Sequence, residues 1–169
     1  MAVALAAALS GMAARFSTEH LTDADEIARR ADGLRSEVVL LARADAAAYG
    51  RVLEAYRTPR DIDEGERRLR IREALTEAAN VPLSIAEIGT EVAGISARLA
   101  EEGNPNLRGD ALTAAALAGA GVRAAATLVE INVSAGGTDD NKMSRVAELR
   151  ATTAAAQEVG EGAEAQVRD

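Results

Sequence analysis

The feature that most constrains this chain is a long apolar repeat between Asp23 and Pro59. Asp45 falls on this repeat, between Leu41 and Ala48. A carboxylate among apolar side chains loses hydration and becomes suited to proton transfer, unless a cation or a backbone N–H pairs with it. Asp45 is therefore the first catalytic candidate, with a structural polar residue as the alternative. Steps of three and four mark the buried face of a helix. Such steps join the apolar residues on either side of Asp45, which itself divides the seven-residue step from Leu41 to Ala48: Ile27, Ala31, Leu34, Val38 and Leu41 before it, and Ala48 and Val52 after it.

Composition favours an all-α fold. The 169 residues are enough for one domain with a hydrophobic core. Alanine dominates the apolar content, and the chain has only two Tyr, one Phe and three Pro, which favours helices over strands. We expect a single-domain bundle of about five to six helices, two of them long, with small side chains that let helices approach closely.

The same composition excludes several classes of site. The chain has no cysteine, so disulfides, thiolate nucleophiles and zinc–thiolate sites are excluded. Its single histidine, His20, falls in a predicted solvated loop and argues against a histidine-based metal site. A formal net charge of −8 argues against nucleic-acid binding, which requires a basic surface.

The first sixteen residues predict a core helix. They are apolar, but no basic residue precedes the apolar run and the segment is too short to span a bilayer. We therefore expect neither a signal peptide nor a membrane anchor, and a cytoplasmic protein.

Periodicity, caps and breakers predict the remaining helices. Asp23 is placed to cap the second helix, and Pro82 predicts a break within the third. We expect a helical domain over residues 1–158 and a mobile polar tail over residues 159–169. The predicted helices after the first are 23–56, 64–101, 111–132 and 138–158.

Arginines cluster after the second helix, in and around the loop TPRDIDEGERRLRIR. Guanidinium groups bind carboxylates and phosphates bidentately, so one interpretation is recognition of an anionic ligand group. The alternative is a solvated face on which most of them pair with neighbouring Asp and Glu. The cluster consists of Arg57, Arg60, Arg67, Arg68, Arg70 and Arg72.

Four motifs in this order resemble the cyclodeaminase/cyclohydrolase family of folate enzymes. They are DAAAYGRVLEAYRTPR (45–60), NVPLSIAE (80–87), GNPNLRGD (103–110) and VEIN (129–132). The family includes the cyclodeaminase domain of formiminotransferase-cyclodeaminase and bacterial methenyltetrahydrofolate cyclohydrolases. The resemblance implies an all-helical homodimer that binds a tetrahydrofolate derivative, with one or several glutamyl units, and that has no metal and no permanently bound cofactor.

The resemblance also implies roles for individual residues. Asp45 and Asp110 are the catalytic candidates, although a helix cap would also explain Asp110. Tyr49 is expected to lie against the pterin or aminobenzoyl ring. The other binding candidates are Arg60 and Arg67 for the glutamyl carboxylates, and Gly103, Asn104 and Asn132 for the pocket wall, where a turn alone would also explain the first two.

Three positions depart from the family pattern. Arg43 replaces an Asp, Gly109 replaces a Ser, and Leu128 stands where an Asn is usual. The Gly-rich loop that precedes the first helix in the family is also absent, which predicts either a start further upstream or a chain that has lost this loop.

Three functions remain open from the sequence. The first is a methenyltetrahydrofolate cyclohydrolase or formimidoyltetrahydrofolate cyclodeaminase. The second is a non-catalytic binding or scaffold paralogue, which the departures favour. The third is a helical dimer whose resemblance to folate enzymes is an accident of its Ala-rich composition.

Overall fold

Helices account for every regular element in the part of the chain that the computed structural model describes, residues 1–59 and 63–165. The expected all-α architecture is therefore confirmed for these residues. The elements are α1 (Ala2–Arg15), α2 (Ala24–Tyr56), α3 (Glu64–Ala78), α4 (Asn80–Glu102), a 3₁₀ turn (Pro105–Leu107), α5 (Arg108–Gly136) and α6 (Asp140–Ala165).

Helix α5 lies at the centre of the bundle and contacts α1, α3, α4 and α6. By length and mean hydropathy, 1.5, the segment Pro105–Gly136 could cross a bilayer. In this structure the helix packs against four others, and 44% of its most apolar 18-residue window is buried. Helix α2 packs on α1, α3 and α4 and faces α5 across a groove.

Small residues allow the close approach of helices that the composition predicts. A Cβ atom on Gly121 of α5 would lie 2.5 Å from a methyl group of Val3, and one on Gly89 of α4 would lie 2.7 Å from a methyl group of Val122. Neither position has room for a larger side chain, so α1, α4 and α5 pack nearly backbone to backbone. The small-residue face of α5 is therefore used at least partly within the chain.

The predicted cap of α2 and the predicted end of α6 both differ from the structure, and α5 extends beyond the predicted 111–132 at both ends. Asp23 precedes α2 but makes no side-chain cap bond. Its carboxylate accepts bonds of 2.7 and 3.0 Å from the Arg98 guanidinium of α4, which lower the Asp23 pKa below its usual value. Helix α6 continues to Ala165, so residues 159–165 extend the helix where a polar tail was predicted. Gly160 is buried there against Leu112, which ties this part of α6 to α5.

An ion pair at the start of α6 predicts a pH dependence of stability. The Asp139 carboxylate accepts bonds from the Lys142 ammonium at 2.6 Å and from the Lys142 backbone N–H at 3.1 Å. These bonds favour the charged form and hold the Asp139 pKa below its usual value. A carboxyl group whose pKa is lower in the folded than in the unfolded chain stabilises the fold above its unfolded pKa, and this stabilisation is lost as the pH falls through the folded value.

We therefore expect Asp139→Asn to lower the free energy of unfolding at pH 7, and the difference from the wild type to shrink as the pH falls below about 4. Urea unfolding followed by circular dichroism at pH 7 and pH 3 measures both values. Asp140→Asn is the matched control, since Asp140 is exposed. An undiminished difference at pH 3 would assign the Asp139 effect to packing rather than to its charge.

Candidate functional site

A groove between α2 and α5 brings several predicted residues together. It consists of two adjoining cavities of about 340 and 220 Å³. Asp45, Pro82 and Leu128 line both cavities. The groove is thus continuous, with Asp45 where its two halves meet.

Asp45 is exposed in the single chain, so the prediction that it is buried on the apolar face of α2 is wrong. The other residues of this face follow the prediction more closely, since Val38 and Ala48 are buried and Leu41 is half-buried. Asp45 is exposed because the groove lies beside it, where no α5 side chain fills the space opposite this turn of α2. No cation pairs with Asp45 among the described residues, which leaves its carboxylate available to a ligand.

The larger cavity contains both tyrosines of the chain. Tyr49, one turn after Asp45, is 62% exposed and Tyr56 is 49% exposed, and both line the cavity with Asn132 of α5. Apolar side chains form most of the remaining wall: Ala48, Val52, Leu75, Ala78, Pro82 and Leu128. An apolar slot with two phenol rings, one carboxylate and one amide suits a flat ligand that carries a few polar atoms.

Tyr56 and Leu128 are lining residues that were not predicted as part of the site. For Tyr56 the sequence contained a usable signal, because positions 45, 49, 52 and 56 recur at steps of four, three and four and so share one face of α2. Leu128 was noticed only as a departure from the family pattern, and its position opposite α2 required the fold.

Arg67 lies near the cavity but has a structural partner. Its guanidinium donates from Nη2 to the carbonyl of Tyr56 at 3.2 Å and from Nε to that of Thr58 at 3.3 Å, which satisfies carbonyls at the end of α2. These bonds give Arg67 a structural role, and its role at glutamyl carboxylates stays a prediction. Arg60, the second arginine assigned this role, lies outside the described residues.

The other arginines of the cluster largely follow the solvated alternative. Arg68 pairs with Glu64 and Arg70 with Glu66. Arg72 donates from Nε to the Gly136 carbonyl at 3.0 Å.

Asp110 lies far from Asp45 in the single chain. It is in the first turn of α5, eighteen residues before Leu128, which corresponds to about 27 Å along the helix. Asp110 makes no cap bond, and the residue at the cap position is Leu107. The two catalytic candidates therefore do not line one cavity within a single chain, and the catalytic role of Asp110 stays a prediction beside a favourable interaction of its carboxylate with the α5 helix dipole.

Gly103 and Asn104 also lie at this distant end, where they shape a turn. A Cβ atom on Gly103 would lie 2.5 Å from the Leu99 carbonyl oxygen. Asn104 donates from Nδ2 to the Phe16 carbonyl at 2.9 Å and accepts from the Asn106 N–H at 3.0 Å. Both residues are thus used within the turn, as the structural alternative expected, and their role in the pocket wall stays a prediction.

A larger cavity, about 560 Å³, lies elsewhere, between α3, the end of α5 and the start of α6. Its cations already have partners, since Arg72 binds the Gly136 carbonyl and Lys142 binds Asp139. Across the described ranges 1–59 and 63–165, no three His, Cys, Asp or Glu side chains are grouped so that they could hold a metal ion. The groove containing Asp45 is therefore the best-formed candidate site.

Comparison with known proteins relates this chain to proteins named for folate chemistry. A family model described as formiminotransferase-cyclodeaminase matches residues 1–155. A methenyltetrahydrofolate cyclohydrolase from Methylorubrum extorquens is 35% identical over 120 residues, which cover 70% of this chain and 57% of that protein. The chain thus spans little more than half the length of this curated relative.

The fold has a close structural counterpart. The crystal structure of formiminotetrahydrofolate cyclodeaminase from Thermotoga maritima superimposes with a TM-score of 0.86 at 26% sequence identity. The match covers 99% of this chain and 85% of the other, so the arrangement of helices is shared throughout.

Proposed function

The chain belongs to the formiminotransferase-cyclodeaminase family, and on that premise we propose that it is an enzyme of folate one-carbon metabolism. The proposed substrate is a tetrahydrofolate derivative that carries one activated carbon at N5 and N10. The observation that carries the proposal is the groove itself, in which two tyrosines, an amide and a carboxylate with no cation partner in residues 1–59 and 63–165 lie together in a mostly apolar wall.

Hydrolysis of 5,10-methenyltetrahydrofolate is the reaction we propose first. Water attacks the cationic methenyl carbon and loses a proton to the Asp45 carboxylate. The adduct then opens as one C–N bond breaks and that nitrogen takes up a proton, which leaves a formyl group and releases one proton in total. The negative charge of Asp45 also favours the cationic substrate beside it. This chemistry uses only water and the chain's own side chains, so we expect no permanently bound cofactor.

Cyclodeamination of a formimino derivative is the second candidate. In that reaction N10 attacks the formimino carbon and ammonia leaves. The relative that is 35% identical is named a cyclohydrolase, whereas the structural counterpart at 26% identity is named a cyclodeaminase. The higher identity and the largely apolar wall near Asp45 support hydrolysis, because a formimino nitrogen needs polar partners that this wall provides at few positions.

Two assays test the proposal. Loss of the near-ultraviolet absorbance of 5,10-methenyltetrahydrofolate, faster than its spontaneous hydrolysis, is expected for a cyclohydrolase. Release of ammonia from 5-formiminotetrahydrofolate would identify a cyclodeaminase. Calorimetric binding without either reaction would support the scaffold alternative, and no binding at all would reject a folate function.

We also propose that two copies associate along α5. Ile131 is 57% and Leu128 49% exposed, although they belong to the central helix. They belong to an exposed, uncharged apolar strip that recurs at steps of four, four, three and four and consists of Ala120, Ala124, Leu128, Ile131 and Ala135. A second copy is the partner that fits this strip, and it would cover the groove mouth and withdraw Asp45 from water. The proposed location of the dimer is the cytoplasm, where folate substrates are available.

A charge placed in this strip is expected to separate the copies. Ile131→Asp introduces a carboxylate that would be buried and unpaired in the dimer, so light scattering should show a shift from dimer to monomer, with loss of activity. Leu69→Asp is the matched control, because Leu69 is 55% exposed on α3, outside the strip. A wild type that is monomeric at micromolar concentration would reject this interface.

A further inference from the structure

A further cavity lies between α5 and α6, away from the groove. Its volume is about 380 Å³, which is large enough for a small organic ligand. Arg123 of this cavity and Asn132 of the groove are about two and a half helical turns apart on α5, so they lie on opposite faces of that helix. The cavity is therefore separate from the proposed folate site. Its lining consists of Val122, Arg123, Thr127, Arg150, Thr153, Ala154 and Gln157.

Two guanidinium groups give this cavity its charge. Arg123 and Arg150 both line it, and no Asp or Glu of the described residues does. The chain as a whole has 27 acidic and 19 basic side chains, so such a wall runs against the general charge of the protein. Glu130, which is outside the lining, pairs with Arg150 and neutralises one of the two charges. The cavity therefore keeps a net positive charge, and it is located at Arg123.

The Arg123 guanidinium is held in place while most of its donors stay unused. The Gln157 amide lies over Gly119, where a Cβ atom would be 2.3 Å from the amide nitrogen. Its Oε1 accepts a bond of 3.2 Å from Arg123 Nη1. A guanidinium has several further N–H donors, and no carboxylate pairs with Arg123 among the side chains that the structure describes. Arg123 can therefore donate from Nε and Nη2 to an oxyanion.

The rest of the wall favours a carboxylate with a short aliphatic part. Val122 and Ala154 contribute apolar side chains between the polar ones. Thr153 is buried, and its hydroxyl lies 2.9 Å from that of Thr90. Because Thr90 donates its own proton to a backbone carbonyl of α4, Thr153 is the donor in this pair and has no proton left for an anion. Arg123 is thus the main donor to a bound oxyanion.

We propose that the cavity between α5 and α6 binds a small aliphatic carboxylate, whose oxygens accept bonds from Arg123 and whose hydrocarbon part lies against Val122 and Ala154. Arg150 is not the anchor, because Glu130 accepts bonds from both of its Nη atoms. A single negative charge matches the net charge of the wall, whereas a phosphate would bring further charge without a second unpaired guanidinium. This site goes beyond the proposed function, since it uses no residue of the groove.

Titration with butyrate at constant ionic strength, followed by NMR, tests the site. Butyrate is expected to shift the methyl resonances of Val122 and Ala154 and to leave the ring resonances of the two groove tyrosines in place. Arg123→Gln is expected to weaken binding by roughly tenfold. Arg29→Gln is the matched control with unchanged affinity, because Arg29 is exposed on α2, outside this lining, and its loss changes the net charge equally.

Glu130→Gln is expected to have the opposite effect. Removing this carboxylate leaves Arg150 unpaired and adds a positive charge beside the cavity, so butyrate should bind roughly threefold more tightly. A purely structural role for the two arginines would not produce such a gain. Urea unfolding of each variant separates a change in affinity from a loss of folded protein.

Four results would overturn the inference. The first is a wild type whose α5–α6 methyl resonances do not respond to butyrate up to about 50 mM. The second is equal weakening in Arg123→Gln and Arg29→Gln, which would indicate a general charge effect. The third is binding of 1-butanol as tight as that of butyrate, which would leave the guanidinium without a role. The fourth is tighter binding of inorganic phosphate, which would exclude the carboxylate. None of them affects the proposed function, which is tested in the groove.

Discussion

Asp45→Asn is expected to reduce kcat for the hydrolysis of 5,10-methenyltetrahydrofolate by about a hundredfold to ten-thousandfold, the usual contribution of a general acid or base. The amide is nearly isosteric with the carboxylate, but it neither accepts a proton from water nor offsets the cationic carbon. The side chain is exposed and has no ion-pair partner in the described residues, so the free energy of unfolding should change by no more than about 0.5 kcal/mol. Stopped-flow absorbance and urea unfolding measure the two effects separately.

Glu54→Gln is the matched control for this substitution. Glu54 is an exposed carboxylate of the same helix, nine residues from Asp45 and therefore on the opposite face of α2. It should retain wild-type kcat, which would show that the loss in Asp45→Asn does not arise from the change in net charge. An unchanged kcat in Asp45→Asn would remove this carboxylate from the mechanism and leave the groove as a binding site only.

The helices could be predicted from the sequence because their signals are local. The apolar repeat of α2 predicted a helix from about Asp23 to Tyr56, and the structure has Ala24–Tyr56. The break expected near Pro82 occurs at Ala79, the single residue between α3 and α4. This displacement has a simple cause, since proline is tolerated in the first turn of a helix, where its missing N–H would have no partner in any case. Pro82 therefore lies within the first turn of α4 instead of ending it.

The site was less predictable because periodicity gives the direction of a side chain without its surroundings. Asp45 does share a face with Val38 and Ala48, yet only the fold shows that α5 stands back from this turn and leaves a groove. The family resemblance had a different weakness. It assigned Gly103, Asn104 and Asp110 to the site from the order of motifs, and motif order contains no distance, so it could not show that these residues lie at the far end of α5 from Asp45 within a single chain.

Gly136→Ala is expected to destabilise the fold by about 1–3 kcal/mol, the usual cost of an overpacked contact. Gly136 ends α5 where this helix crosses α3. A Cβ atom there would lie 2.7 Å from Thr76 Oγ1, 2.9 Å from the Arg72 carbonyl oxygen and 3.0 Å from the Thr76 backbone nitrogen. Two of these three atoms belong to the α3 backbone and cannot rotate away, so the whole helix must move. Because Leu75 and Ala78 of α3 line the larger cavity, ligand affinity should fall together with stability.

Gly94→Ala on α4 is the matched control, with an effect of opposite sign. A Cβ atom on Gly94 has no neighbour within 4 Å, so alanine there adds helix propensity without a clash and should stabilise the protein by up to about 1 kcal/mol. Urea unfolding of both variants, with calorimetric titration of 5-formyltetrahydrofolate, measures stability and affinity together. If Gly136→Ala also stabilised the protein, the close contact between α3 and α5 would not exist in solution. Since α3 provides one wall of the groove, the cavity that holds Tyr49 and Tyr56 would then have a different shape from the one described.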